Sequence, residues 1–291
     1  MPLPPSELIL NDDGSIYHLN LLPQDIADAV ITVGDQDRVE KITKHFKKIE
    51  VSKRKREFFT QTGTFKNKRI TVISTGIGTD NIDIVINELD ALVNIDLEKR
   101  QVKPNLKSLD IIRIGTSGSI QSNIPIDSFL ISDHAIGFDS LLHYYNFIED
   151  ESIEGFSEEL VKHLNLDPAK SKPYIVGCDE GLKHKFTSDK TVEGITVTNV
   201  GFYGPQGRVL RLKLKDEDLN DKLSTFNFEG KKITNLEMET AGIYGLSKLL
   251  GHRAVSMNAI IANRATKEFS KDSEKTIDSL ILYTLEKLSL S

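Results

Sequence analysis

LDIIRIGTSGSIQ, residues 109–121, is the stretch whose reading decides the fold. Its first half is a short apolar run, Leu109, Ile111, Ile112 and Ile114, too short and too rich in branched side chains for a helix. A strand apolar on successive residues is covered on both faces, as strands are in parallel sheets flanked by helices. Similar runs occur on both sides of it: DAVITVG (28–34), ITVIST (70–75), DSFLISDHAI (127–136), PYIVGC (173–178), GITVTNVGF (194–202) and RAVSMNAIIANRA (253–265). Between them the period changes. DRVEKITKHF (37–46) and SEELVKHLNL (157–166) carry helical spacing, as do Ile82, Val85, Ile86, Leu89, Leu92 and Val93, with Asp80 as the expected N-cap. The segment 226–251 runs from strand or loop into a helix that Gly251 should stop, and 272–290 is a closing amphipathic helix. Residues 51–76 read as an extended segment and a hairpin turning at FKNKR.

Strands alternating with helices, no internal repeat and no low-complexity linker give an α/β fold. The expectation is a single domain over 1–291, with a central mixed, mostly parallel β-sheet flanked by helices and a flexible N-terminal extension at 1–15. The formal net charge of -6 argues against a nucleic-acid binder, which presents a basic face. One cysteine, Cys178, excludes an intramolecular disulfide, and the expected role of that residue is a small buried apolar group. MPLPPSELILNDDGS at the start lacks the basic and apolar regions of a secretory signal, and no apolar run approaches membrane-spanning length. A soluble cytoplasmic protein is the expectation.

Ligands of open α/β sheets sit beyond the carboxyl ends of the strands, so the strand exits carry the functional information. VGDQDRV sets Gly34 and Arg38 where a backbone can approach an anion and a guanidinium can hold it; a strand-to-helix turn with a surface arginine explains it equally. STGIGTDN is an anion nest or a common tight turn. In RIGTSGSIQ, Arg113 stands inside an apolar strand, just before Gly115 and Thr116. An arginine there needs a carboxylate or a bound anion as partner. NLEMETAG brings Glu237 and Glu239 two residues apart around Met238; they can accept from ribose hydroxyls or merely complement a helix dipole. FYGPQGR (202–208) combines Phe202 and Tyr203, which can stack on a flat ring, with the amide of Gln206 and the donor fork of Arg208. Taken alone it is also a plain Gly-Pro turn. No metal-ligand spacing, nucleophile elbow or Walker loop occurs.

GDQDRVEKI, KREF, STGIG, RIGTSGSIQ, FYGPQGR, EMET and IIANR, in that order, resemble the hexameric nucleoside phosphorylases, and among them the bacterial-type uridine phosphorylases. The resemblance runs from YHLNL to the C-terminus. It implies a pentosyltransferase that cleaves uridine reversibly with phosphate to uracil and ribose 1-phosphate in pyrimidine salvage. It implies phosphate held by Gly34, Arg38, Arg113 and Thr116, with Arg56 reaching in from a neighbouring subunit. Glu237, Met238, Glu239 and Arg113 would hold ribose, with the neighbour's His18 at its 5′-hydroxyl. Phe202, Gln206 and Arg208 would take uracil, and Arg208, Gln206, Glu239 and Arg113 would carry the catalysis. Phosphate is then a co-substrate and no organic cofactor is needed. A homohexamer built as a trimer of dimers, with sites shared between two subunits, goes with these roles. Some relatives hold a monovalent cation between subunits; Glu57 and Ile77 match that potassium position, while Asn81 replaces its serine. Gln36 stands where proline is usual, Pro-Gly is reversed in the base loop, and Gly207 replaces an acidic residue, so thymidine and deoxyuridine stay open as substrates. Purine enzymes of the family carry an aspartate where this chain has Asn263 and Arg264. A nucleosidase using water, a purine phosphorylase and a non-catalytic nucleoside binder are the alternatives; the arginines at 38, 56 and 113 speak against the first.

Overall fold

Ile111 packs into one apolar cluster while Ile112 and Ile114 pack into another, so the deciding strand is covered on both faces. Val30 and Ile31 divide between the same two clusters. The computed structural model describes residues 2–147 and 153–290. Its strands are β1 (Ala29–Val33), β2 (Lys48–Lys55), β3 (Phe58–Phe65), β4 (Lys68–Ser74), β5 (Ile95–Asp96), β6 (Gln101–Val102), β7 (Asp110–Ser119), β8 (Phe129–Gly137), β9 (Tyr174–Gly177), β10 (Thr191–Thr198), β11 (Asn227–Phe228), β12 (Lys231–Glu237), β13 (Arg253–Asn263) and β14 (Glu268–Phe269). Its helices are α1 (Gln36–Thr43), α2 (Thr79–Asn94), α3 (Phe156–Leu164), α4 (Glu180–Phe186), α5 (Leu219–Thr225), α6 (Thr240–Leu250) and α7 (Ser273–Ser289).

One large sheet runs β11-β12-β10-β8-β13-β7-β1-β4-β3-β2, with β9 on β8 and β14 on β13. Pairing is parallel along β4-β1-β7-β13 and along β8-β10-β12; antiparallel contacts join β13 to β8 and build the β2-β3-β4 edge. The mixed sheet flanked by helices is as expected. Its closure is not: β12 also pairs with the far end of β7, Asn235 opposite Ser119 and Leu236 opposite Gly118. The strands β7, β13, β8, β10 and β12 therefore form a ring, made possible by ten- and eleven-residue strands and a register shift in β13 between Ile260 and Ala262. The active-site candidates lie where this ring opens.

Helices α2 and α6 cover one face; α1, α4 and α7 cover the other; α3 and α5 pack beside β9, β10 and β12. In the N-terminal segment Leu8 is buried, the Leu3 N–H donates to the Arg100 carbonyl at 2.7 Å, and the Arg100 side chain donates to the carbonyls of Leu3 and Pro4. One expectation needs correction. Asp80 lies in the first turn of α2, and the N-cap is Gly78, at φ 99°, whose N–H is taken by Glu239 at 2.9 Å. A distant carboxylate thus does the work expected of a local one. Among the described residues no helix is long and apolar enough to cross a membrane.

Candidate active site

Arg113 is nine-tenths buried or more, and its charge is met from two sides. Its Nη2 lies 2.6 Å from Glu239 Oε2 and 3.1 Å from Glu237 Oε2; its Nη1 donates to Asn258 Oδ1 at 2.9 Å. The guanidinium folds back over Gly115: a Cβ on that residue would stand 1.9 Å from Nη1 and 2.4 Å from Cζ. Burial pulls the Arg113 pKa down, but the two glutamates outweigh it and hold the group more firmly protonated than usual.

The two glutamates differ in what they have left to offer. Glu237 ends β12 and accepts from Thr198 Oγ1 at 2.6 Å and from the N–H groups of Glu239 and Thr240, so it caps α6. Among the described residues Glu239 accepts only from Arg113 and from the Gly78 N–H. A carboxylate has about four acceptor positions, so Glu239 keeps free ones for a polyol while Glu237 is nearly spent. Burial, with Glu237 beside it, lifts the Glu239 carboxyl above its usual range, against the pull of Arg113 and the Gly78 amide.

From the exit of β1, Arg38 joins Arg113. Asp35 caps α1 by accepting from the Asp37 N–H at 3.0 Å, which sets Arg38 on the first turn with Nη1 donating to the Ile114 carbonyl at 3.3 Å. Burial, and then the positive charge of Arg113, lower the Arg38 pKa. Two guanidinium groups held together in this way favour an anion between them.

The base loop reaches the same place from β10. Arg208 stacks on the Phe202 ring, 3.7 Å from its centre, and donates to the Phe202 carbonyl at 2.6 Å and to Gln206 Oε1 at 2.7 Å. Gln206 is buried at 3% exposure. Arg264, from the exit of β13, donates through Nη1 to the Gln206 carbonyl and through Nη2 to Gln206 Oε1 at 3.3 Å. Burial, with Arg208 nearby, pushes the Arg264 guanidinium down to about 10. With Oε1 taken by two arginines, the Gln206 amide nitrogen has no partner among the described residues.

One cavity of about 830 Å³ is lined by Gly34, Arg38, Arg113 and Thr116, by Glu237, Met238 and Glu239, and by Phe202, Gln206 and Arg208. These ten of the expected site residues come together from four strand exits. Glu57, Ile77 and Asn81 also line it. They offer one carboxylate, one backbone carbonyl and one amide oxygen. A single chain does not complete a potassium site with so few donors. His18 and Arg56 are not in the lining. His18 Nδ1 bonds Glu88 Oε1 at 2.6 Å, and its ring lies edge-on to Tyr17; the Arg56 guanidinium lies 5.7 Å from the centre of that same Tyr17 ring. The two residues share one patch around Tyr17, and Arg56 adjoins the cavity: its neighbour Glu57 lines it, and its carbonyl accepts from the cavity-lining Gln36 at 3.3 Å.

Arg264 entered the sequence reading only with Asn263, as the contrast with the aspartate of the purine enzymes, and had no site role there; its signal is a second arginine following a buried strand. Asn258 gave no signal beyond being polar in an apolar run. On the outer side of the base loop a second cavity, about 840 Å³, is lined by Phe138, Lys170, Tyr203, Pro205 and Arg211. Among the described residues one trio of possible metal ligands meets, Asp133, Cys178 and Glu180. Lys183 already fills it, 2.6 Å from Asp133 and 2.8 Å from Glu180. Cys178 packs against the core, and burial pushes its thiol up to about 12, so it is not a nucleophile at neutral pH.

The family model for the phosphorylase superfamily matches residues 28–285. A uridine phosphorylase of Thermococcus kodakarensis is 30% identical over 270 residues, 91% of this chain and 83% of its own. A DeoD-type purine nucleoside phosphorylase of Buchnera aphidicola is 29% identical over 277 residues, 94% of this chain and 97% of its own. The crystal structure of a Trypanosoma brucei nucleoside phosphorylase, described as showing uridine phosphorylase activity, matches with a TM-score of 0.84 at 29% identity. That match covers 96% of this chain and 99% of the other. Since the family match takes in β1 and the greater part of α7, and with them every strand exit that lines the cavity, this chain belongs to the phosphorylase superfamily.

Proposed function

We propose that this enzyme is a uridine phosphorylase. A phosphate oxygen, held between Arg38 and Arg113 with Thr116 and the Gly34 backbone, attacks C1′ of uridine. The C1′–N1 bond breaks, its electron pair leaves with the base, and a proton from solvent gives neutral uracil beside ribose 1-phosphate. Positive charge grows on the sugar, where the bound phosphate and Glu239 stabilise it, and negative charge grows on the base. Preorganised donors aimed at that charge are the main source of rate, and holding the two substrates in line supplies more.

The observation that carries uracil as the base is the fixed amide of Gln206. Arg208 and Arg264 hold its oxygen, which leaves its two N–H donors for a carbonyl edge. A purine site of the kind expected for this family would want an acid where Arg264 stands, and Arg264 is engaged with the loop instead.

The test is base release from uridine, thymidine, inosine and adenosine, with and without phosphate, followed by chromatography. Uracil and ribose 1-phosphate should appear only with phosphate. Base release without phosphate would make the protein a nucleosidase; purine phosphorolysis alone would overturn the account of the base loop; binding without turnover would make it a nucleoside-binding protein. In the same assay Arg208→Ala should lower kcat/KM for uridine roughly ten- to a hundredfold, the worth of a charge-assisted contact of about 1.5–3 kcal/mol. The KM for phosphate should stay near its parent value, because Arg208 touches neither Arg38 nor Arg113. Equal losses for both substrates would remove Arg208 from the base site.

His18 and Arg56 act in a neighbour's site, at the ribose 5′-hydroxyl and the phosphate, in a homohexamer made of three dimers. What supports this is their common patch around Tyr17. Sedimentation at assay concentrations should give at least a dimer. A fully active monomer would overturn the shared site.

A further inference from the structure

We infer that Asn258 is a positioning residue for Arg113: it fixes the rotation of the guanidinium and so decides which of its N–H groups face the anion. This rests on the reading of the cavity as a phosphate-using site. Asn258 stands on β13 with no exposure, and it is not in the cavity lining. Its Oδ1 accepts from Arg113 Nη1 at 2.9 Å, and its Nδ2 donates to Ser132 Oγ at 3.0 Å and Ser256 Oγ at 3.3 Å. A guanidinium can only donate, so the amide oxygen must face Nη1 and is committed to the arginine.

The bond to Ser132 is the start of a belt. Ser132 Oγ lies 2.5 Å from Thr196 Oγ1, Thr196 Oγ1 donates to Asn235 Oδ1 at 2.9 Å, and Asn235 Nδ2 donates to Ser117 Oγ at 3.0 Å. Asn258, Ser132, Thr196, Asn235 and Ser117 come one each from β13, β8, β10, β12 and β7, in the order in which those strands form the ring. The belt thus returns to the strand that carries Arg113. All of these residues are buried. Alternate residues of the same β13 strand, Val255, Met257 and Ala259, point into an apolar cluster instead. Buried polar groups are tolerated only when paired, and an apolar filling would pack as well. Here the pairing satisfies the Asn258 nitrogen and leaves its oxygen for one guanidinium.

Mechanically, Arg113 is held at two points. Nη2 is clamped by the glutamates and Nη1 by Asn258, with Ser256 Oγ a longer second acceptor at 3.5 Å. With the short Asn258 bond removed, the group keeps its charge partners and can pivot about Nη2. A pivot changes the direction of the remaining N–H donors, which matters for an oxyanion and little for a distant base.

The experiment measures inorganic phosphate binding by calorimetry, together with phosphate and uridine KM, for Asn258→Ala, Asn258→Ser and Thr196→Val. Serine keeps a hydroxyl for the belt but is too short to reach Nη1, and it serves if the alanine variant does not fold. Thr196→Val cuts the belt far from Arg113 without changing shape. Both Asn258 variants should bind phosphate about tenfold or more weakly, with uridine KM close to the parent's. Thr196→Val should melt earlier and bind phosphate as the parent does. The inference is overturned if the Asn258 variants bind phosphate normally, or if Thr196→Val weakens it as much, which would make the belt a purely structural device. A parent that binds no phosphate would sink the phosphorylase reading and the inference with it; a parent that binds phosphate without cleaving uridine would sink only the choice of nucleoside.

Discussion

Gly115→Ala is expected to lower kcat/KM by at least about two orders of magnitude while the chain still folds. The added methyl would occupy the place of the Arg113 guanidinium, 1.9 Å from Nη1. A long side chain can usually swing away from such a contact at little cost. Arg113 cannot, because Glu237, Glu239 and Asn258 hold the end that would have to move. Each charge-assisted bond it gives up is worth about 1.5–3 kcal/mol, and about 1.36 kcal/mol is a tenfold change in rate. Two lost bonds therefore account for two decades or more. The melting temperature should fall as well, since two buried carboxylates lose their cation. Gly118→Ala, on the same strand, is the stability control: its nearest neighbours would lie at 3.8 Å, an ordinary contact. Steady-state kinetics and thermal melts decide the matter. A Gly115→Ala enzyme within threefold of the parent would mean that Arg113 works from some other position.

That glycine illustrates what could be read before the structure was known. Arg113 announced itself, because a charge in an apolar strand demands a partner, and the partners turned out to be the two glutamates of EMET. The alternation of strands and helices was legible because each strand is apolar on both faces. Short helices were not: α4 and α5 have seven residues each, two turns in which no periodicity can show. Ring closure was not legible either. The β12 to β7 pairing depends on how far long strands bend, which no local pattern records. The division of labour between Glu237 and Glu239 was hidden for a related reason. The two differ in their surroundings: Glu237 is taken up at the start of the helix, while Glu239 keeps acceptor positions open toward the cavity. Which is which depends on the Thr198 hydroxyl and the Gly78 N–H, one from β10 and one from the loop before α2.

Glu239→Gln separates catalysis from stability at this site. The substitution keeps the shape and removes a charge from a place where two carboxylates share one guanidinium. Burial, with Glu237 adjacent, holds the Glu239 carboxyl above its ordinary value of 4.5. A carboxyl raised on folding binds its proton more tightly in the native state. Its contribution to stability is therefore complete below the unfolded value and is lost as pH rises through the folded one. Once ionised, the group is a cost to the fold that glutamine does not carry. The variant should melt within about 4 °C of the parent at pH 7, the scale of a 1 kcal/mol change in a chain this large. Activity should behave in the opposite way. Only the carboxylate can meet positive charge growing on the sugar, and losing one preorganised electrostatic partner costs about a hundred- to a thousandfold in kcat. The pH profile gives an independent readout. In the parent, kcat/KM should fall as pH drops through the raised value, so the acid limb lies above the ordinary carboxylate range; in the glutamine variant that limb should be absent. Persistence of the limb would assign it to another group, and a loss of stability as large as the loss of activity would make Glu239 a structural partner of Arg113 and nothing more.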